Sequence, residues 1–102
     1  ISCYGQFCLP IKTVTSTSSL DSTSSYVVLN FSSSGGYIRL PSTNLTDGQT
    51  IIIRNIGSNN VTVYGNMKNE SNGSITQYTF STGLHVHTYY QNGNYWLVNN
   101  LN

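Results

Sequence analysis

Between Tyr26 and Val98 the apolar residues come in short alternating or β-branched runs, each soon cut off by Gly, Pro, Asn or Asp. Such runs place side chains on the two faces of a strand with a period of two and do not build the apolar stripe of a helix. No segment carries apolar spacing at three and four long enough for three helical turns. Alanine, the residue that most favours helix, is absent from the chain. The runs Tyr26–Phe31, Tyr37–Leu40, Thr50–Ile56, Val61–Tyr64, Ile75–Phe80, Leu84–Tyr90 and Tyr95–Val98, together with Ile11–Thr15, predict about eight strands. The expected fold is all-β, a small antiparallel β-sandwich or barrel. Tyr37–Leu40 is expected to pair with the run before it across Gly35-Gly36, and Asn92-Gly93 is expected to close the last hairpin.

A chain of 102 residues makes one domain. Only 7% of it is charged, against roughly 25% in an average globular protein. Its surface must therefore be built from hydroxyl and amide groups, as in secreted, virion or cell-surface proteins. Lys12, Arg39, Arg54 and Lys68 are dispersed, so no basic patch exists to neutralise phosphates, and nucleic acid is not an expected partner. No apolar run approaches the ~20 residues of a membrane span. Within Thr50–Ile56, Ile51, Ile53 and Asn55 share one face while Ile52, Arg54 and Ile56 share the other. Isoleucine on both faces implies that a second chain covers the outside.

Cys3 and Cys8 enclose four residues including Gly5, which predicts a short disulfide loop. The spacing is not that of a thioredoxin-like or zinc motif. Ser16–Ser25 is Ser/Thr-rich and reads as a loop or extended linker, so residues 1–25 are taken as an N-terminal tether and 26–102 as the domain proper. Gly65–Gly73 reads as a polar loop. The carboxylates Asp21, Asp47 and Glu70 are scattered, with no pair placed for acid–base work, and no nucleophile-elbow motif occurs. The chain is not expected to be an enzyme.

His85 and His87 alternate onto one strand face. Three copies on an axis would bring six imidazoles together, enough for an octahedral metal ion; alone, the pair is a solvated face beside Tyr89. Of the aromatic residues, Trp96 and Tyr90 are expected in the core, and Tyr89 and Tyr95 on the surface or in subunit contact. Aromatic rings with neighbouring amides suit sugar or protein recognition. The candidate receptor contacts are Tyr64, Asn66, Tyr89, Asn92, Asn94 and Tyr95, and the candidate contact loops are Ser32–Gly36, Ser58–Asn60, Gly65–Gly73 and Gln91–Asn94.

The order Tyr37-Ile38-Arg39-Leu40-Pro41, Asp47-Gly48-Gln49-Thr50-Ile51-Ile52-Ile53-Arg54-Asn55, Asn60-Val61-Thr62-Val63, Tyr78-Thr79-Phe80 and Gly93-Asn94-Tyr95-Trp96-Leu97-Val98 resembles the C-terminal head or tip domains of trimeric viral and bacteriophage fibres. The resemblance covers about the last two-thirds of the chain. It implies a homotrimer, with residues 1–25 as the shaft junction and 26–102 as a head on the virion surface that attaches to a host-cell receptor, glycan or protein. Two other readings fit the same residues. One is a structural trimerisation or capsid decoration module without a receptor; the other is a carbohydrate-binding module of a secreted protein.

Overall fold

The computed structural model describes residues 2–3, 6–7, 10–68 and 73–99. These form eleven strands and no helix. In chain order they are β1 (Ser2–Cys3), β2 (Gln6–Phe7), β3 (Ile11–Val14), β4 (Ser18–Ser19), β5 (Tyr26–Leu29), β6 (Tyr37–Arg39), β7 (Thr50–Asn55), β8 (Val61–Lys68), β9 (Ser74–Phe80), β10 (His85–Gln91) and β11 (Asn94–Asn99). β1 and β2 form a two-stranded ribbon. The other nine make one nearly closed, barrel-like sheet in the order β3-β5-β7-β10-β11-β8-β6-β4, with β9 added to β8.

The order shows how the chain is wound. Successive strands alternate between the two ends of the path: β3, β5 and β7 lie side by side in one arm, and β4, β6 and β8 in the other. Within each arm these neighbours are parallel. The chain thus coils around its core, and each crossing adds a strand to the opposite arm. The three remaining strands close the coil. β9 folds back antiparallel on β8, β10 runs antiparallel to β7, and β11 joins β10 to the far half of β8.

The all-β expectation holds, and the expected antiparallel pairing of neighbours holds for β8–β9 and β10–β11 but not for the strands of the large sheet before them. β5 and β6 belong to different arms, as do β7 and β8, and five of the eight pairings in the large sheet are parallel. Alternation has the same period in parallel and antiparallel sheets, and a turn residue marks where the chain bends without saying which strand it meets next. The Asn92-Gly93 hairpin is present as expected. Both residues have positive φ, 51° and 82°, as a type I′ turn requires.

Residues 11–25, taken from sequence as part of a tether, lie in the same sheet and core as the rest. β3 and β4 pair with β5 and β6, and Val14 and Leu20 are buried in the main cluster. Gly65–Lys68, expected as loop, continues β8. Met67 there is buried, and an extra residue between Tyr64 and Met67 forms a bulge that bends the strand so that its end meets β11. The expected Cys3–Cys8 bridge involves Cys8, which lies outside the described residues.

The core fills the space between the arms. Val27, Ile53 and Val86 sit side by side on β5, β7 and β10, and Ile51 neighbours Thr88, which neighbours Leu97. From the other arm come Ile38, Val63, Val61, Phe80 and Met67. Thr88, the polar member of this layer, donates its hydroxyl to the Ile51 carbonyl at 2.9 Å.

Where the coil ends, the row Val14–Leu29 continues into Asn55, a fully buried amide. Its Nδ2 donates to the carbonyls of Phe80 at 2.8 Å and Asn59 at 3.0 Å, and its Oδ1 accepts the Gly57 N–H at 3.0 Å. Its backbone N–H donates to the Leu84 carbonyl and its own carbonyl accepts from Gly83. One residue therefore ties the end of β7 to β9 and to the turns on either side of β8–β9. Asn55→Ala would take this partner from two buried backbone groups, the Phe80 carbonyl and the Gly57 N–H, and from the half-buried Asn59 carbonyl, each buried loss costing on the order of 1–3 kcal/mol. We expect a loss of about 3 kcal/mol or more in urea unfolding; a loss below about 1 kcal/mol would contradict this role.

Candidate functional site

The two arms present outward faces of different chemistry. On the first arm, Ile11 lies beside Tyr26, Tyr26 beside Ile52 and Ile52 beside His87. In the next row Val28 lies beside Arg54 and Arg54 beside His85. Beyond these Thr50, Tyr89 and Trp96 form a third row. Ile11, Tyr89 and Ile56 are largely solvent-exposed for apolar or aromatic side chains, Ile11 at 67%. Among the described residues this face carries no carboxylate.

His85 and His87 share this face, as alternation requires, with ring centroids 5.2 Å apart, and His85 lies 6.4 Å from the Tyr26 ring. The His85 Nε2 is buried without a hydrogen-bond partner. Burial, then the neighbouring His87 and Arg54, holds its pKa below the usual imidazole value, so this ring favours the neutral form. Among the described residues, no group of three or more His, Cys, Asp or Glu side chains is gathered for a metal.

The outward face of the second arm is polar and aromatic. Parallel pairing of β6 with β8 sets Arg39 beside Tyr64 and Tyr37 beside Thr62, and the β8–β9 hairpin adds Gln77 and Thr79 to the same rows. The Arg39 guanidinium carbon lies 5.3 Å from the centre of the Tyr37 ring and 5.4 Å from that of Tyr64. The two rings meet edge to face at 5.4 Å. Quadrupolar attraction of the cation by both rings holds a long, exposed side chain in one place.

Next to this cluster a cleft of about 500 Å³ opens between β6, the β8 bulge and the β10–β11 turn. Arg39 and Tyr64 stand at one side, Tyr90 and Gly93 at the other, with Leu40-Pro41-Ser42 and Gly65-Asn66 between them. Gly65 is closely packed, since a Cβ there would lie 3.0 Å from Leu40 Cδ1 and 3.1 Å from Leu40 Cβ. The Leu40 N–H donates to the Tyr64 carbonyl at 2.8 Å, joining the two walls. A second hollow of about 300 Å³ shares Arg39, Leu40, Pro41 and Ser42 and extends past Ser19 and Asp21.

Of the candidate contacts from sequence, Tyr64, Asn66 and Tyr95 come together at the cleft. Asn92 and Asn94 lie in or beside the turn that supplies Gly93, where the Asn92 N–H donates to Asp47 at 3.2 Å. Tyr89 is on the other arm's outward face, away from this group. The expected facing of β11 is reversed: Tyr95 is buried and Trp96 is half-buried on the outward side, beside Tyr89. Tyr95 packs edge-on against Tyr90 at 5.2 Å, and its hydroxyl donates to the Pro41 carbonyl at 2.7 Å. Burial and the neighbouring Tyr90 raise its pKa well above the usual phenol value, so it stays a donor. Its role is to pin the Leu40-Pro41 wall from beneath. Sequence reasoning missed Arg39, Tyr90 and Ser42. Tyr37 and Arg39, two apart on one strand face, were the one available signal.

No known protein family matches the chain, and neither the curated proteins nor the solved structures contain a match to it.

Because the Tyr95 hydroxyl spans from the core to the cleft wall, Tyr95→Phe leaves the Pro41 carbonyl without its partner. We expect a destabilisation of about 1–2 kcal/mol in chemical unfolding, with amide shift changes concentrated at Leu40, Ser42 and Gly65 in NMR spectra. Changes spread evenly over the domain would count against this pinning role.

Proposed function

We propose that this chain is the head of a homotrimeric virion fibre that attaches the particle to a host-cell surface. In this reading the first arm faces the other copies and the second arm faces the receptor. The observation that carries the proposal is the contrast between the two outward faces. The first-arm face brings Ile11, Tyr26, Val28, Ile52, Tyr89 and Trp96 together around Arg54, His85 and His87, with no carboxylate among the described residues, and exposed apolar side chains grouped in this way mark an association site. The second-arm face gathers tyrosines, an arginine, amides and hydroxyls around a cleft, groups suited to recognising a hydrated ligand. The assignment of three copies rests on the resemblance of the sequence blocks between Tyr37 and Val98 to those of fibre heads.

A trimerisation or decoration module without a receptor accounts for the first face and leaves the cleft unexplained. A monomeric carbohydrate-binding module accounts for the cleft and leaves the apolar face uncovered. Mass in solution separates these readings. Light scattering should give three chains, unchanged by a metal chelator, since the contact is apolar. Ile11→Asp combined with Tyr89→Glu should yield single folded chains, because both positions are exposed and cost the fold about 0.5 kcal/mol or less each. A wild-type monomer would contradict the fibre-head assignment, and dissociation by chelator would transfer the contact to His85 and His87.

A further inference from the structure

Among the described residues the cleft on the second arm contains one charge, that of Arg39; its other walls are Leu40, Pro41, Ser42, Tyr64, Gly65, Asn66 and aromatic or glycine positions. Among the described residues no carboxylate pairs with Arg39, whose ordering comes from the rings of Tyr37 and Tyr64. Asp21 lines the adjoining hollow, but its carboxylate accepts the N–H of Thr23 at 3.0 Å and the Thr23 hydroxyl. Arg39 is thus a guanidinium held in position with its donors unclaimed by any described acid.

A planar guanidinium matches a planar carboxylate through two parallel hydrogen bonds. A single positive charge balances a monoanion and falls short of what a phosphate chain needs. Around it, the Ser42 hydroxyl and the Asn66 amide offer donors and acceptors for hydroxyl groups. The Tyr64 and Tyr90 rings offer apolar walls of the kind on which sugar rings stack. The hollow past Ser19 continues the groove, with room beyond the first residue of a chain.

We infer that this cleft binds a carboxylate-bearing sugar, a sialic or hexuronic acid at the end of a cell-surface glycan, with Arg39 holding the carboxylate and Tyr64, Asn66 and Ser42 facing the ring. This rests on the attachment reading above and names the chemistry of its receptor.

The test is an NMR titration of the full chain in its own assembly state. The probes are the methyl α-glycoside of N-acetylneuraminic acid, methyl β-glucuronide and, as the uncharged control, methyl β-glucoside. At least one acidic sugar should give saturable shifts at the Arg39 side chain and the amides of Gly65, Asn66 and Gly93. Binding should be about tenfold or more weaker for the neutral sugar and for Arg39→Gln, as expected for loss of a charge-assisted contact. Absence of shifts with both acids, equal binding of the neutral sugar, or undiminished binding by Arg39→Gln would each overturn the assignment. The mass of the same sample separates the two proposals. A trimer that binds neither acid refutes the sugar site and leaves the fibre head standing. A monomer that binds an acid through Arg39 does the reverse.

Discussion

The closure of this fold depends on the buried amide of Asn55. A coil of parallel strands, left to itself, ends in a row of unpaired backbone groups, and burying such groups without partners is costly. Here the end of β7 meets three different segments: the end of β9, the turn before β8 and the turn before β10. A hydrophobic side chain could fill the volume but could not bond to their carbonyls and N–H groups. Asparagine, with two donors and an acceptor on one short stem, satisfies Phe80, Asn59 and Gly57 together. Asn59 then passes the connection on, donating to the Phe31 carbonyl at 3.0 Å. Backbone bonds from Asn30 to Val14 and from Ile56 to Leu29 complete the same end of the coil. The closing strands β9, β10 and β11 can be held in register because this junction anchors where two of them begin or end.

That closure creates the two outward faces. Alternation along β3, β5, β7 and β10 sends one set of side chains into the core, and the other set is left outside. On the first arm that outer set includes Ile11, Tyr26, Val28, Ile52 and Tyr89 beside Arg54, His85 and His87, so the same period that builds the core also leaves apolar side chains on the surface. On the second arm the outer positions hold Tyr37, Arg39, Thr62 and Tyr64. The β8 bulge turns the chain toward β11 and opens the cleft beside them. Tyr95, buried below, links core and cleft through its bond to Pro41.

Much of this was legible in the sequence at the level of faces. The two-sided isoleucines of Thr50–Ile56, the shared face of His85 and His87, and the Asn92-Gly93 turn all follow from local period and turn chemistry. The pairing partners were not legible, because the crossings that make the coil carry the same Gly, Asn and Ser residues as hairpins do. Adjacent aromatics concealed the facing of β11, since Tyr95 and Trp96 fit either side equally well by type. Polar composition concealed the strand Ser18–Ser19 and the second half of β8, Gly65–Lys68, where Met67 is the one apolar residue. The cleft draws on β6, β8 and the β10–β11 turn, segments that only the fold brings together, so Arg39 stood out neither by a motif nor by a charged neighbour.

The proposed division of labour between the two faces is tested most directly by hydroxyl-radical footprinting of the chain in solution at the concentration at which its mass is measured. Tyr89, exposed on the isolated chain, should be protected along with Ile11, while Tyr37 and Tyr64 remain reactive. Equal reactivity of the four residues, or protection of Tyr37 and Tyr64 with Tyr89 left reactive, would contradict the account, because the surface that associates would then not be the apolar one.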